Sequence, residues 1–404
     1  VQARIALRGA ADRATSLGAP EQAVIHLRSA LLTTRDEGER AELFHRAAAA
    51  ARMAAQLDDA VSHERAAIAA FDAAGARASQ LDASATLGLL LIDQGYLDEA
   101  VATLDPAVEA ADPFPEVQAS LLAVLARAYM RLSRDQEAIV AADRALTIAE
   151  PLRLDPTTAE AMANKAAAML RLNRPREAAA LLRAAADLAQ EAGDTDLELR
   201  ARMNLGVFLS SDDIAAAMRT WREALQRATR LGQRKAQLWL WSIITSASVE
   251  EGKDWDAASA KVDEILQELD DPLTRAVFLG VRLWYQVLRG EDSAATWSEI
   301  ETIREQHPDA DDFMGVPHLR GVELTVAGRF DEAVAALRTI IPAMGSNVAE
   351  AYGRLLVAAL LARDLEALRL LEAYRRAEGG TSYADDSQRR SIDAGIAAIE
   401  GRTV

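Results

Sequence analysis

The chain has 404 residues, half of them hydrophobic but only 5% aromatic, and it contains no cysteine, which excludes disulfides, thiolate metal sites and thiol catalysis. Lys and Arg total 45 against 62 Asp and Glu, a net charge of −17, and this argues against nucleic-acid binding, which needs a basic face for the phosphates. No apolar run approaches the roughly 18 residues of a membrane span and no basic-then-apolar leader opens the chain, so the expected setting is cytoplasmic, with no membrane and no direct nucleic-acid partner.

In chain order, one phrase recurs ten times: a turn, an acidic residue, then a small anchor with core positions four and seven residues later. The anchors are Ala23, Ala60, Ala100, Ala138, Ala178, Ala217, Ala257, Ser293 or Ala295, Ala333 and Ala367. Counting from Ser293, they are spaced by 37, 40, 38, 40, 39, 40, 36, 40 and 34 residues. A fixed period in this range marks a solenoid of helix pairs, in which each unit packs only on its neighbours. The chain is helical almost from Val1, which suggests a trimmed start or a piece cut from a longer protein. Only Lys165, Lys235, Lys253 and Lys261 are lysines, and this arginine bias reads as a high-GC, bacterial genome.

Each period reads as two amphipathic helices. In the third unit Leu87, Gly88 and Leu91 precede Ala100, and Leu104 and Ala107 follow it. In the fourth, Leu125, Ala126 and Tyr129 precede Ala138, and Ala142 and Ala145 follow. Spacings of three and four put these side chains on one stripe, with small residues where two backbones must approach. Pro20 and Pro175 fit the first turn of a second helix, where the missing N–H costs nothing. Pro106 lies inside a second helix and predicts a kink or an early end. The stretch from Gln306 to Pro317 is the least regular, and the ninth unit's first helix is expected after Pro317. Beyond Gly379-Gly380-Thr381-Ser382, a last helix over about 385–400 carries Ile392, Ile396 and Ile399 and fits a cap with one wet face.

Leu-Gly in the first helix, Gly before the turn and Glu-Ala opening the second helix make the chain resemble the tetratricopeptide repeat (TPR) family. Asn204-Leu205-Gly206 and Gly321, Leu324, Gly328, Phe330 and Ala333 carry the match best beside the third and fourth units. The period exceeds the family's usual length of about 34 residues, so longer helices follow. Long repeats of this kind look like the MalT-like sensor arms of bacterial signalling ATPases and cyclases. The resemblance implies an all-α, right-handed α-solenoid (superhelix) of about ten TPR-like pairs, continuous over 1–378, with the capping helix and tail at 379–404. It further implies protein–protein interaction, with any ATPase, cyclase or DNA-binding domain outside this chain.

Candidate chemistry is sparse. No pair of histidines has the i,i+4 spacing of helical metal ligands, and neither a Gly-x-Ser-x-Gly elbow nor a phosphate loop occurs. His26 and His63 share one repeat position and could approach as a metal site, or stand as surface histidines. The reading is therefore a non-enzyme without catalytic residues, metal or cofactor. In TPR arrays the first helices line the concave surface, and two sets of residues qualify for it. Arg131, Asn164, Arg171, Arg200 and Asn204 would form a polar groove for an acidic peptide or protein partner, or be solvated helix-end residues. Trp239, Ser242, Ser246, Trp284, Tyr285 and His318 would form an aromatic site for a partner or a small ligand, or be core packing.

Overall fold

The computed structural model of the chain describes residues 2–54, 56–172, 174–210, 213–250, 256–268, 272–306, 316–338, 348–378 and 383–401. Among them are twenty-one α-helices and no strand. The first four pairs are α1 (Gln2–Ser16) with α2 (Pro20–Thr33), α3 (Glu37–Met53) with α4 (Leu57–Ala73), α5 (Arg77–Gln94) with α6 (Leu97–Ala110), and α7 (Pro115–Arg131) with α8 (Asp135–Leu152). Three more are α9 (Asp155–Arg171) with α10 (Pro175–Ala192), α11 (Thr195–Ser210) with α12 (Ile214–Arg230), and α13 (Arg234–Glu250) with α14 (Asp256–Glu268). Then come α15 (Pro272–Arg289) with α16 (Ala294–Gln306), α17 (Val316–Val326) with α18 (Phe330–Arg338), and α19 (Val348–Ala362) with α20 (Leu365–Glu378). A final single helix, α21 (Tyr383–Ile399), caps the last pair.

Two compact bodies divide the chain. The N-terminal body comprises Val1–Ala168 and Ala184–Glu198, the C-terminal body Met169–Arg183 and Leu199–Val404. Within the first, each helix packs on the next from α1 to α8, and α5 also meets α7. Within the second, the first helices α13, α15, α17 and α19 each pack on their own second helix and on the following first helix, and α19 meets the cap α21. This is an α-solenoid of TPR-like pairs.

The anchors explain the packing. Ala23, Ala60, Ala100, Ala138, Ala178 and Ala217 each stand fourth in their second helix and are fully buried. Four residues on, Leu27, Glu64, Leu104, Ala142, Leu182 and Trp221 are buried too. Gly88 shows why a small residue must face them, since a Cβ there would lie 2.6 Å from Leu104 Cδ2, far inside van der Waals contact.

Two anchors differ from the sequence expectation. Ala257 is exposed, and the buried set is Ala258, Val262 and Ile265. In the eighth pair neither Ser293 nor Ala295 holds the position: Ser293 precedes α16, and the buried set is Thr296, Ile300 and Ile303. α6 runs one turn past Pro106 to Ala110, so the proline does not break it. Residues 307–315 of the irregular stretch lie outside the described residues, and α17 opens at Val316, one residue before Pro317. On α21, Ile392 and Ile396 are buried against Leu355, Ala359, Leu368 and Leu371, whereas Arg390, Ser391 and Asp393 are exposed, as a cap requires.

Glycine closes several turns in the left-handed region, including Gly95 at φ 86° and Gly328 at φ 74°. Ser133, Arg153 and Arg363 adopt the same conformation with side chains, at φ 58°, 54° and 55°. A Cβ makes that region costly. Arg153→Gly, at the exposed C-cap of α8, is expected to raise stability by about 0.5–1 kcal/mol in urea denaturation. A loss of stability would show that the Arg153 side chain outweighs its backbone strain.

Candidate functional site

In the N-terminal body the first helices are tied to one another by polar side chains. Arg4 pairs with Glu39 at 2.5 Å, and Asp12 with Arg46, both joining α1 to α3. Asp93 on α5 takes Arg52 of α3 at 2.8 Å and Arg127 of α7 at 3.3 Å. Asn164 continues the row from α9 by donating to the Ala123 carbonyl of α7 at 3.1 Å and to Glu160 at 2.9 Å. Half-exposed pairs of this kind contribute at most about 1 kcal/mol each, so the row sets register and surface charge more than stability.

This corrects the sequence reading of Asn164. Its side chain is fully buried and works as a tie between helices, not as a donor to a ligand. The residue two before the small position faces the preceding repeat's first helix. Asn164→Ala should therefore cost about 1–3 kcal/mol in chemical denaturation, because the Ala123 carbonyl loses a buried donor. Arg131 is exposed at the end of α7. In the C-terminal body Arg171 is exposed, and Arg200 and Asn204 are half-buried on α11.

The described members of the aromatic set each have partners of their own. Trp239 is 39% exposed and meets Phe278 edge-to-face at 4.8 Å. Ser242 is buried and donates to the Leu238 carbonyl, while Ser246 is half-buried. Trp284 packs against the cluster of Leu279, Leu283 and Ile300. Tyr285 is buried and donates to Asp263 at 2.9 Å, the same oxygen that receives Arg282 at 2.7 Å. Burial and the Asp263 charge hold its phenol well above the ordinary tyrosine range. The His318 side chain lies outside the described residues. His63, the other half of the suggested histidine pair, accepts from Arg28 Nε at 3.2 Å. Among the described residues no group of three or more His, Asp or Glu could hold a metal ion.

The sequence reading missed the grooves between successive second helices. The residue five after an anchor faces the residue one before the next anchor, and this couple is an ion pair at three junctions: Arg28–Asp59 at 2.7 Å, Arg65–Glu99 at 2.5 Å and Arg338–Glu366 at 2.7 Å. Two grooves in the N-terminal body form cavities. The one between α4 and α6, ≈ 450 Å³, is bridged by Arg65–Glu99 and by Gln94 donating to Asp58 at 2.7 Å.

Between α6 and α8 the cavity is ≈ 330 Å³, with Leu125 and Tyr129 of α7 as its floor. Here both members of the couple are acidic, Asp105 and Glu137. Asp105 accepts from the Tyr129 hydroxyl at 2.9 Å, and Glu137 pairs with its own neighbour Arg134 at 3.0 Å. Arg134 also lies over the Tyr129 ring at 4.4 Å. Burial, then the hydrogen bond to Asp105, raises the Tyr129 phenol above its usual range, so it stays a donor at neutral pH. The alternation of Arg and acid at these two register positions was the signal in the sequence.

No family model matches the chain, and no curated protein matches it by sequence. Among solved structures it is similar to a Rap protein complexed with Competence and Sporulation Factor, at 13% identity and TM-score 0.55 over 90% of this chain and 99% of that one. It is also similar to the apo form of RapI, at 13% identity and TM-score 0.52 over 65% and 96% of the two chains. A third is the Rap conjugation gene regulator of plasmid pLS20 with the Phr* peptide, at 14% identity and TM-score 0.51 over 64% and 71%. Likeness at these identities concerns the fold.

Proposed function

We propose that this chain is a non-catalytic recognition scaffold that holds a peptide or protein segment along its first-helix face. The observation that carries the reading is the charged row Arg4, Glu39, Arg46, Arg52, Asp93 and Arg127, which presents fixed charges on neighbouring helices instead of converging on a cleft. Fixed charges of alternating sign select a partner and its register more than they add raw affinity. The peptide complex of the pLS20 regulator and the factor-bound Rap protein support the reading by showing this kind of fold occupied by such partners. By resemblance to MalT-like arms, the chain serves as the regulatory arm of a bacterial signalling protein. Its ATPase, cyclase or DNA-binding domains would lie outside this sequence. Trp239, in the C-terminal body, has one exposed face, which suits an edge contact to a partner better than an enclosed small-molecule pocket.

The test is binding of a partner identified by crosslinking from the native lysate, measured with purified components. Arg127→Ala and Arg131→Ala are expected to weaken it at least tenfold with the thermal transition retained, and Arg171→Ala and Asn204→Ala to weaken it as well. Unchanged affinity in all four variants would remove the first-helix face as the recognition surface.

A further inference from the structure

Residues 199–235 carry eight Lys and Arg against three Asp and Glu, in a chain whose net charge is −17. Four of the arginines, Arg219, Arg222, Arg227 and Arg230, stand on α12, where Glu223 is the one acid. The helix buries Ala217, Met218, Trp221, Ala224, Leu225 and Ala228, and the helical period puts Arg219, Arg222, Gln226 and Arg230 together on its exposed side. Arg230 donates to the Gln226 carbonyl of its own helix at 3.4 Å. Among the described residues Arg219, Arg222, Arg230 and the exposed Glu223 form no ion pair.

Elsewhere the chain neutralises such positions in two ways. Arginine meets glutamate three residues on in Arg134–Glu137 and Arg329–Glu332. The residue five after an anchor meets the acid before the next anchor in Arg28–Asp59 and Arg65–Glu99. On α12 both devices are missing. Three residues after Arg219 comes Arg222, so like charges stand one turn apart and repel. Arg222 is five after its anchor, and the residue before the next anchor is Ala257. One repeat earlier Arg183, exposed and without an ion pair among the described residues, has Ala216 as its counterpart in the same way. Two successive junctions thus present an arginine where the acid that would meet it is alanine.

We propose that the exposed side of α12 is a docking surface for an acidic helix of a partner protein, which lays its Asp and Glu side chains along Arg219, Arg222 and Arg230. The row is about 16 Å long at 1.5 Å per residue, the reach of three turns of such a helix. Guanidinium groups suit carboxylates because their planar forks take both oxygens. Leu231, 42% exposed just beyond Arg230, gives the partner an apolar contact at the end of the row. Nucleic acid fits this surface less well. Three unpaired arginines neutralise few phosphates, and a chain at −17 repels a long polyanion, whereas a short acidic segment meets only the field within roughly 10 Å. The surface lies on a second helix of the C-terminal body and does not depend on the first-helix reading.

The test uses the full chain and a labelled Ala-rich helical peptide with Glu repeated every third and fourth residue along one face. It is compared with versions that carry Gln or Lys at those positions and with a single-stranded DNA of equal charge. Fluorescence anisotropy is expected to show the Glu peptide binding at least tenfold tighter than the Gln peptide, with the gap narrowing in high salt. Arg219→Gln combined with Arg222→Gln should remove that preference and leave the thermal midpoint unchanged or raised, since both side chains are exposed and repel each other. Arg28→Gln, at the register position of Arg222 but already paired with Asp59, should leave the preference intact, and so should Arg127→Ala on the first-helix face. Equal binding of the Glu and Gln peptides, tighter binding of the DNA, or an unchanged preference in the double variant would overturn the proposal. Self-association in sedimentation that the double variant abolishes would overturn it too, by making the occupant a second copy of this chain.

Discussion

Trp221→Ala is expected to destabilise the C-terminal body by about 3–5 kcal/mol, the largest single loss predicted for this chain. Trp221 is 2% exposed, four residues after its anchor, and packs among Leu199, Ala224, Leu225 and Leu240. Its indole N–H donates to the Met203 carbonyl at 3.0 Å, so truncation removes a buried donor as well as the ring. Its size is tolerated because Gly206 stands opposite, where a Cβ would fall inside the indole. Gly206 sits on a helix and cannot retreat, so Gly206→Ala should itself cost about 1–3 kcal/mol. In the first pair the same two register positions hold Ala11 and Leu27. The double variant Gly206→Ala with Trp221→Leu should therefore lose less than the two single changes added together. Strict additivity in chemical denaturation, followed by the transition of this body, would mean that the two residues are not coupled.

That pair also shows what could be read from the sequence alone. A small residue facing a large one recurs at a fixed distance, and periodicity finds it without coordinates. The helix pairs, their turns and the cap were legible for this reason. Register was lost where several small residues run together. Ala257-Ala258-Ser259-Ala260 offers four adjacent small residues, and only the burial of Ala258 in line with Val262 and Ile265 selects it. Ala294-Ala295-Thr296 hides Thr296 in the same way.

The site was less legible, because polarity says nothing about direction. Asn164, Ser242 and Tyr285 are polar residues on first helices, yet each turns inward to a partner in the protein. The groove between α6 and α8 is invisible in any one repeat. It emerges when Asp105 is compared with Arg28 and Arg65 at the same position.

The second large effect concerns Glu64, a carboxylate where the first, third and fifth pairs place leucine. It is fully buried, its Oε1 lies 2.7 Å from His45 Nδ1, and its Oε2 has no hydrogen-bond partner among the described residues. Burial raises its carboxyl above the ordinary 4.5. The hydrogen bond that His45 donates to the Glu64 carboxylate raises His45 above 6.5, with Asp82 of α5 and Glu42 of α3 adding negative charge. Both shifts mean that the folded state holds protons the unfolded chain would release. This contribution is fully present at low pH, declines as pH rises above 4.5, and is lost once His45 titrates above 6.5. Glu64→Leu, which copies Leu27 and Leu104, is expected to stabilise the N-terminal body by about 1–4 kcal/mol at pH 8 and to flatten its pH dependence. His45→Ala should do the opposite, costing about 3 kcal/mol near neutrality because it strands a buried carboxylate, and costing less toward pH 5 as that carboxyl takes up a proton. Denaturation curves for the three proteins at pH 5, 6.5 and 8 decide the matter. If wild type and Glu64→Leu keep the same slope with pH, the pair carries no proton linkage, and the charge in this core position has another origin.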